Sequence, residues 1–329
     1  AAEQLFSDGS LSRHVDQLLF ATESGVDQSK AGGLYVRRLL GLNKNCRVVE
    51  LKQACYSATA GLQMALAQIR ANPELKILLI ASDIARYGLG SPGEATQGCG
   101  AVALLLTANP RILSIDDIAG LHNDDVMDFW RPNYSDTAYV DGKYSTKVYL
   151  NTLKACLSDY QSRGGELSFD HMCYHLPFSR MAEKAHKTLC RETKQKFDAD
   201  QFAHQVGDGL IYNQAIGNSY TASLYISLVS LLDHGNVQPG AKVGLFSFGS
   251  GCMGEMMSGT VQSEFANALY AVQHQAMLET RIPMTYDEYK AAFTFKFAED
   301  GSEQELPRQA TGHFRLAKLA NHQRHYESV

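Results

Sequence analysis

Twice along the chain, short runs of consecutive apolar residues alternate with amphipathic helical stretches, and this repeated rhythm restricts the fold more than any other feature. Runs such as 77–81 (ILLIA) and 101–106 (AVALLL) are apolar at every position, which predicts strands covered on both faces and therefore an α/β arrangement. The first half predicts strands over 17–21, 47–51, 76–81, 101–107 and 112–116, with helices over 29–40 and 54–69. An aromatic-, Pro- and Asp-rich stretch over 125–141 has no clear period and suits a long functional loop, followed by a helix over 146–163. The rhythm then restarts with a strand over 172–175, helices from 179 and from 199, a long helix over 219–232, and a strand over 242–248. A helical stretch over 261–279 and a strand over 314–319 complete it. No linker divides the halves, so 1–165 and 166–329 are expected to form one layered duplication, not two independent domains.

Composition excludes several classes. With 45% hydrophobic and 20% charged residues the 329-residue chain is an ordinary globular one. Its longest apolar runs fall far short of the roughly 20 residues a membrane span needs, and no basic-then-apolar leader opens it, so a cytoplasmic protein without a membrane partner is expected. Seven cysteines without CxxC spacing argue for a reducing compartment, against disulfides and against a zinc site. Eleven histidines form no HExxH pair, although His322 and His325 stand three apart, and no metal is expected. A net charge of −5 with mixed signs gives no nucleic-acid footprint.

The candidate chemistry lies where strands end. Cys55 follows the strand over 47–51 and opens a small-residue helix, where free amide N–H groups and the positive helix end would stabilise a thiolate; the alternative is a small buried hydrophobe. Glu23, just past the first strand, occupies a strand's C-terminal end, where open α/β sheets place their sites. Partly desolvated there, a carboxyl would have a raised pKa and serve as base or acid, unless it is a helix-start acid. His175 ends a strand before Pro177 and is placed to face a pocket or to be a satisfied structural residue. A thiol and an imidazole on separate halves are what acyl transfer through a cysteine requires. Asn218 either caps the next helix or points into the site. The turn after Ser247 (SFGSG) carries small residues whose amides could form an oxyanion hole, and it completes no phosphate-loop pattern. Asp83, Tyr87 and the glycine-rich 88–100 stretch follow another strand and could take a long ligand, or form a wide hairpin connection.

Eight short blocks, at 21–24 (ATES), 53–59 (QACYSAT), 82–88 (SDIARYG), 129–132 (FWRP), 140–142 (VDG), 174–178 (YHLPF), 217–221 (GNSYT) and 246–251 (FSFGSG), together resemble the hydroxymethylglutaryl-CoA synthase family in order and spacing. The resemblance implies a thiolase-like αβαβα fold, a homodimer, and a catalytic set falling on Cys55, His175 and Glu23. It implies a substrate-binding set at Asp83, Tyr87, Asp141, Asn218 and Ser247, with no permanently bound cofactor. The amides of Cys55 and Ser247 are the expected oxyanion hole. The blocks around Cys55, the 133–137 loop, residues 140–145 and the HQRHY ending look more like the polyketide β-branching synthases, which take phosphopantetheine thioesters from acyl carrier proteins and not from free CoA. An acidic carrier would need a basic mouth, for which Arg180, Lys184 and Lys187 are candidates. Against the family pattern the chain begins inside the first helix, roughly fifty to sixty residues late for a domain of this size. The expected result is an unpaired strand edge and exposed core.

Overall fold

The computed structural model describes residues 1–6, 14–308 and 312–329. The opening helix expected ahead of the first strand falls partly on residues 7–13, outside the described residues; Ala2–Phe6 form a 3-10 turn.

Strand β1 (Gln17–Ala21), helix α1 (Gly32–Leu39), β2 (Arg47–Leu51), α2 (Ser57–Ala71), β3 (Ile77–Ile84) and β4 (Cys99–Leu106) make the first unit. Its sheet runs β2-β1-β3-β4, with β1 parallel to β2 and β3, and β4 antiparallel to β3. The glycine-rich stretch is thus the wide hairpin connection between β3 and β4. Next come β5 (Leu113–Asn123), the short hairpin β6 (Phe129–Trp130) and β7 (Tyr139–Val140), and α3 (Gly142–Ser162). They are followed by β8 (His171–Tyr174), α4 (Arg180–Glu192), α5 (Ala199–Val206), α6 (Ile211–Ile216), α7 (Ser223–His234), β9 (Lys242–Gly249) and β10 (Met253–Val261). The second sheet runs β5-β10-β9-β8, with β8 parallel to β9 and the other pairs antiparallel. Helices α8 (Ala271–Glu279) and α9 (Tyr286–Thr294) and a small sheet of β11 (Gln304–Glu305), β12 (Phe314–Ala320) and β13 (Gln323–Ser328) close the chain.

Side-chain alternation on the strands explains the layering, because successive residues point to opposite faces. From β1 and β3, Leu19, Ala21, Ile77 and Leu79 pack inward on Ala58, Leu62 and Ala65 of α2, in one core with Leu224 and Leu228 of α7 and with Val243, Leu245 and Met257 of the second sheet. Their neighbours Leu18, Leu78 and Ile80 face outward beneath Val36 of α1. On the second sheet, Met172, Tyr174, Phe246 and Met256 face outward against Leu153 and Leu157 of α3 and Met181 and Leu189 of α4. The order α, β, α, β, α is the thiolase-like arrangement expected. Leu62, 3% exposed in the middle layer, is a position where truncation to Ala would cost about 2–5 kcal/mol.

Two expectations need correction. β5 and α3 belong to the second sheet and its cover, so the boundary between halves lies between β4 and β5, not near residue 165. The stretch from 261 is not one helix: β10 occupies Met253–Val261, and α8 starts only at Ala271. In the second sheet β10 has β5 on its outer edge. Among the described residues the equivalent edge of β4 carries no strand, and an apolar cavity of about 1500 Å³ lined by Leu104, Leu106, Leu113, Leu228 and Leu278 runs along it.

Candidate active site

The Cys55 position is built by a strained turn. α2 begins at Ser57, so Cys55 lies just ahead of the helix. Ala54 holds φ of +44°, a left-handed conformation that costs a non-glycine residue about 1 kcal/mol. The Gln53 amide donates to Ser57 Oγ at 2.6 Å, Ser57 Oγ donates to the Ala54 carbonyl at 2.9 Å, and the Tyr56 amide donates to the Gln53 carbonyl at 3.0 Å. Gly249, closing β9, approaches so closely that a Cβ there would sit 2.6 Å from the Gln53 carbonyl oxygen. A backbone held off its preferred conformation by so many partners is a common property of reactive positions.

The thiol itself is not the low-pKa thiolate expected from its place at a helix start. Burial pushes the Cys55 thiol well above its ordinary value, and the negative charges of Glu23, Asp83 and Asp128 push it further. Half a positive charge at a helix end does not offset desolvation plus three carboxylates. Its Sγ lies 4.0 Å from Glu23 Oε2.

Glu23 stands in the turn after β1, and Asp83, 3% exposed at the end of β3, fixes that turn. Asp83 Oδ1 accepts from Thr22 Oγ1 at 2.7 Å and from the amides of Glu23 and Ser24, each at 2.9 Å. Its Oδ2 accepts from the Thr221 amide at 3.1 Å and from the Thr221 hydroxyl. Asp83 is therefore a bracket tying the Glu23 turn to the start of the α7 segment, and not the ligand contact expected. The Glu23 carboxyl is pushed up to about 8, first by burial and then by the charge of Asp83, against a downward pull from Arg131. The Arg131 guanidinium donates to the Glu23 carbonyl oxygen.

Tyr87, Tyr220, Ala85 and Phe129 pack around Cys55. Asn218, 2% exposed, approaches the Tyr87 hydroxyl with Nδ2 at 3.5 Å and accepts from the Tyr220 amide with Oδ1 at 2.9 Å. It holds the amide that opens the 3-10 turn Tyr220–Ala222, whose N-cap is Ser219, and it does not cap the long helix α7, which starts only at Ser223. Outside this cluster a cavity of about 730 Å³ is lined by Glu23, Lys52, Tyr56, Trp130, Arg131 and Gly251.

His175 immediately follows β8 and is 3% exposed, with its Nδ1 buried and unpartnered among the described residues; burial lowers its pKa to about 3, so the ring is neutral. The Tyr149 hydroxyl donates to its carbonyl at 2.9 Å, and its own amide donates to the Phe246 carbonyl at 2.8 Å. A buried ring fixed through its backbone and left with an open nitrogen is suited to a carbonyl-bearing ligand.

The other expected positions have structural contacts of their own. Ser247 is buried within β9 and accepts from Thr59 Oγ1 at 2.8 Å, so its hydroxyl faces α2. Exposed Asp141 is the N-cap of α3, accepting from the Tyr144 amide at 3.0 Å, which accounts for it structurally. Arg180 and Lys184 are exposed on α4, with Lys184 over the Phe178 ring at 5.4 Å, while Lys187 is paired with Glu183. Sequence reasoning missed Asp128 and Arg131. Asp128 is fully buried beside the loop after β9, accepting from the Gly251 amide at 2.9 Å and Ser145 Oγ at 2.8 Å. Both sit in or beside the 129–132 block, which was legible as a motif but not as a site.

Comparison with known proteins gives a consistent picture. Residues 113–195 and 186–313 match the family described as hydroxymethylglutaryl-coenzyme A synthase C terminal, a match that opens where β5 begins the second sheet. A hydroxymethylglutaryl-CoA synthase of Enterococcus faecalis is 37% identical over 284 residues, covering 85% of this chain and 73% of that protein. PksG of Bacillus subtilis, a polyketide biosynthesis 3-hydroxy-3-methylglutaryl-ACP synthase, is 35% identical over 301 residues, covering 85% and 71%. The solved HMG synthase of the curacin biosynthetic pathway, in complex with acetyl donor-ACP, superposes with a TM-score of 0.91 at 34% identity, over 100% of this chain and 86% of the other.

Proposed function

Because the chain belongs to the hydroxymethylglutaryl-CoA synthase family, we propose that it joins an acetyl group to the β-ketone of an acetoacetyl or other β-ketoacyl thioester. Cys55 attacks the acetyl thioester, the bond to the donor thiol breaks, and acetyl-cysteine forms with release of that thiol. Glu23 removes a proton from the acetyl methyl, and the enolate carbon bonds to the acceptor β-carbon. The alkoxide takes a proton back from Glu23, and water then cleaves the acyl bond to Cys55, leaving a free carboxylate and the thiol. His175, neutral and with an open nitrogen, holds the acceptor carbonyl. Tyr87 and Asn218 orient the bound acyl group. The observation that carries this reading is the 4.0 Å approach of Cys55 Sγ to Glu23 Oε2, with Glu23 raised to about 8 so that it can both take and return a proton near neutrality. Intact-mass detection of a 1:1 acetyl adduct, lost in Cys55→Ser, tests it; an adduct that survives the substitution removes Cys55 as the carrier.

The donor we favour is an acetylated acyl carrier protein. Exposed Arg180 and Lys184 on α4, close in sequence to His175, support an acidic partner. The alternative of acetyl-CoA and acetoacetyl-CoA is favoured by the likeness to the Enterococcus faecalis synthase, whose identity is close to that of PksG. Comparing kcat/KM for acetyl-carrier protein and acetyl-CoA decides between them: a strong preference for the carrier supports β-branching, and equal efficiency supports the CoA-dependent reading. The outer edge of β2, the strand leading to Cys55, supports a homodimer, which sedimentation tests.

A further inference from the structure

Glu255 is a fully buried carboxyl, 1% exposed, on the sheet face that carries Leu245 and Met257 of the middle core. It lies on β10, directly opposite Ser247 of β9, so both present side chains to the same face. That face receives α2. Tyr56 Oη donates to Glu255 Oε2 at 2.5 Å, and Gln63 Nε2 donates to Oε1 at 2.6 Å. Between them Thr59 Oγ1 bonds Ser247 Oγ and the Tyr225 hydroxyl, each at 2.8 Å. Residues 56, 59 and 63 fall on one face of the helix start, at offsets of three and seven. The nucleophile helix is therefore docked on the second sheet through a polar stripe whose partners sit at fixed positions, whereas an apolar contact could slide by a fraction of a turn.

We propose that Glu255 is a positioning residue for the nucleophile: by holding Tyr56, the residue next to Cys55, it fixes the position of the thiol against Glu23. This rests on the reading of Cys55 as the acyl carrier. A desolvated carboxyl between two donors is costly unless both oxygens are satisfied, and here both are. Glutamine is not equivalent: with its oxygen kept toward Gln63, its NH₂ can only donate to the Tyr56 hydroxyl, which then loses the acceptor for its own proton in a buried site. Tyr56 adjoins the strained Ala54 turn, so slack at its hydroxyl end is passed to the backbone that carries Cys55. A misplacement of about 1 Å at a reacting atom can cost on the order of a hundredfold in rate.

The test uses the full chain carrying Glu255→Gln, Tyr56→Phe, or both. For each, the acetylation rate constant, the rate of Cys55 alkylation by iodoacetamide followed by peptide mass, and the thermal midpoint are measured. The expected result is a fall of about tenfold or more in the acetylation rate of the folded single variants, with the double variant no slower than the slower single, because both remove the same contact. Acetylation at the wild-type rate in folded variants overturns the proposal, as does a double variant whose losses multiply. If Glu255→Gln does not fold, Tyr56→Phe carries the test alone. Should the wild type take no acetyl group on Cys55, the failure belongs to the carrier reading; the alkylation rates, altered or unaltered, still decide whether Glu255 positions this thiol.

Discussion

Cys55 Sγ lies 4.0 Å from Glu23 Oε2, and the thiol is kept protonated first by burial and then by the Glu23 charge, which develops as that carboxyl ionises at about 8. The resting site thus stores its proton and does not present a thiolate. Replacing Glu23 by Gln removes one negative neighbour, so iodoacetamide alkylation of Cys55 should begin at lower pH than in the wild type. The same variant should still become acetylated but should not condense. Condensation at the wild-type rate would place the base elsewhere.

Glu23 also makes a stability prediction with a definite sign. Its folded pKa of about 8 exceeds the ordinary 4.5, so between these values the unfolded chain has released a proton that the folded chain retains. The stability contributed by the protonated group is complete below about 4.5 and is lost as pH rises through about 8. At about 1.4 kcal/mol per pKa unit, the loss is on the order of a few kcal/mol. Glu23→Gln should therefore unfold at a higher temperature than the wild type at pH 8–9, and the difference should vanish near pH 4. Parallel thermal midpoints across that range would refute the raised carboxyl.

Continuous apolar runs made β1, β3 and β9 legible, because a strand covered on both faces has little freedom in composition. β10 was missed for the opposite reason: its Gly254, Glu255, Ser258 and Gly259 interrupt the apolar pattern, and each is explained by a packing partner that sequence does not reveal. A Cβ on Gly254 would lie 2.3 Å from Thr152, and Glu255 is satisfied from α2, over 190 residues away in sequence. Cys55, Glu23 and His175 were visible as strand-end residues. The thiol's electrostatics were not, since Asp83 and Asp128 are gathered beside it from other segments, a proximity that the helix start does not encode.

Asp83 accepts five donors from two segments, three of them backbone amides. In Asp83→Asn the amide NH₂ must face either the Thr22–Ser24 turn or Thr221, leaving buried donors opposed. The expected cost is about 2–4 kcal/mol of stability, read by denaturant titration. Catalysis at a temperature where the variant is folded should fall further than acetyl-donor affinity does, because the Glu23 turn is what loosens. An effect confined to donor KM would return Asp83 to ligand binding.

His175 is neutral down to about pH 3, so it acts as an uncharged hydrogen-bonding group over the working range. The sign follows: below about 6.5 the unfolded imidazole takes a proton that the folded one refuses, and stability contributed by the neutral ring is lost as pH falls from there toward about 3. His175→Ala should weaken acceptor use more than acetylation in a two-substrate kinetic comparison. Equal loss in both half-reactions would indicate a structural role for the ring.

Arg131 acts on Glu23 twice, through the guanidinium bond to the Glu23 carbonyl and through a positive charge that favours the carboxylate. Burial and Asp83 act in the other direction, and the balance leaves the carboxyl near 8, where half of it is available as base. Arg131→Gln keeps a donor for the carbonyl but deletes the charge, so the Glu23 carboxyl should rise further. The ascending limb of the condensation rate against pH should then move to higher pH, while acetyl-donor KM changes little. Arg131→Lys, retaining the charge, should restore the position of the limb even if its single ammonium holds the turn less well. A limb that stays in place in Arg131→Gln would mean that another group sets the pH dependence of proton removal.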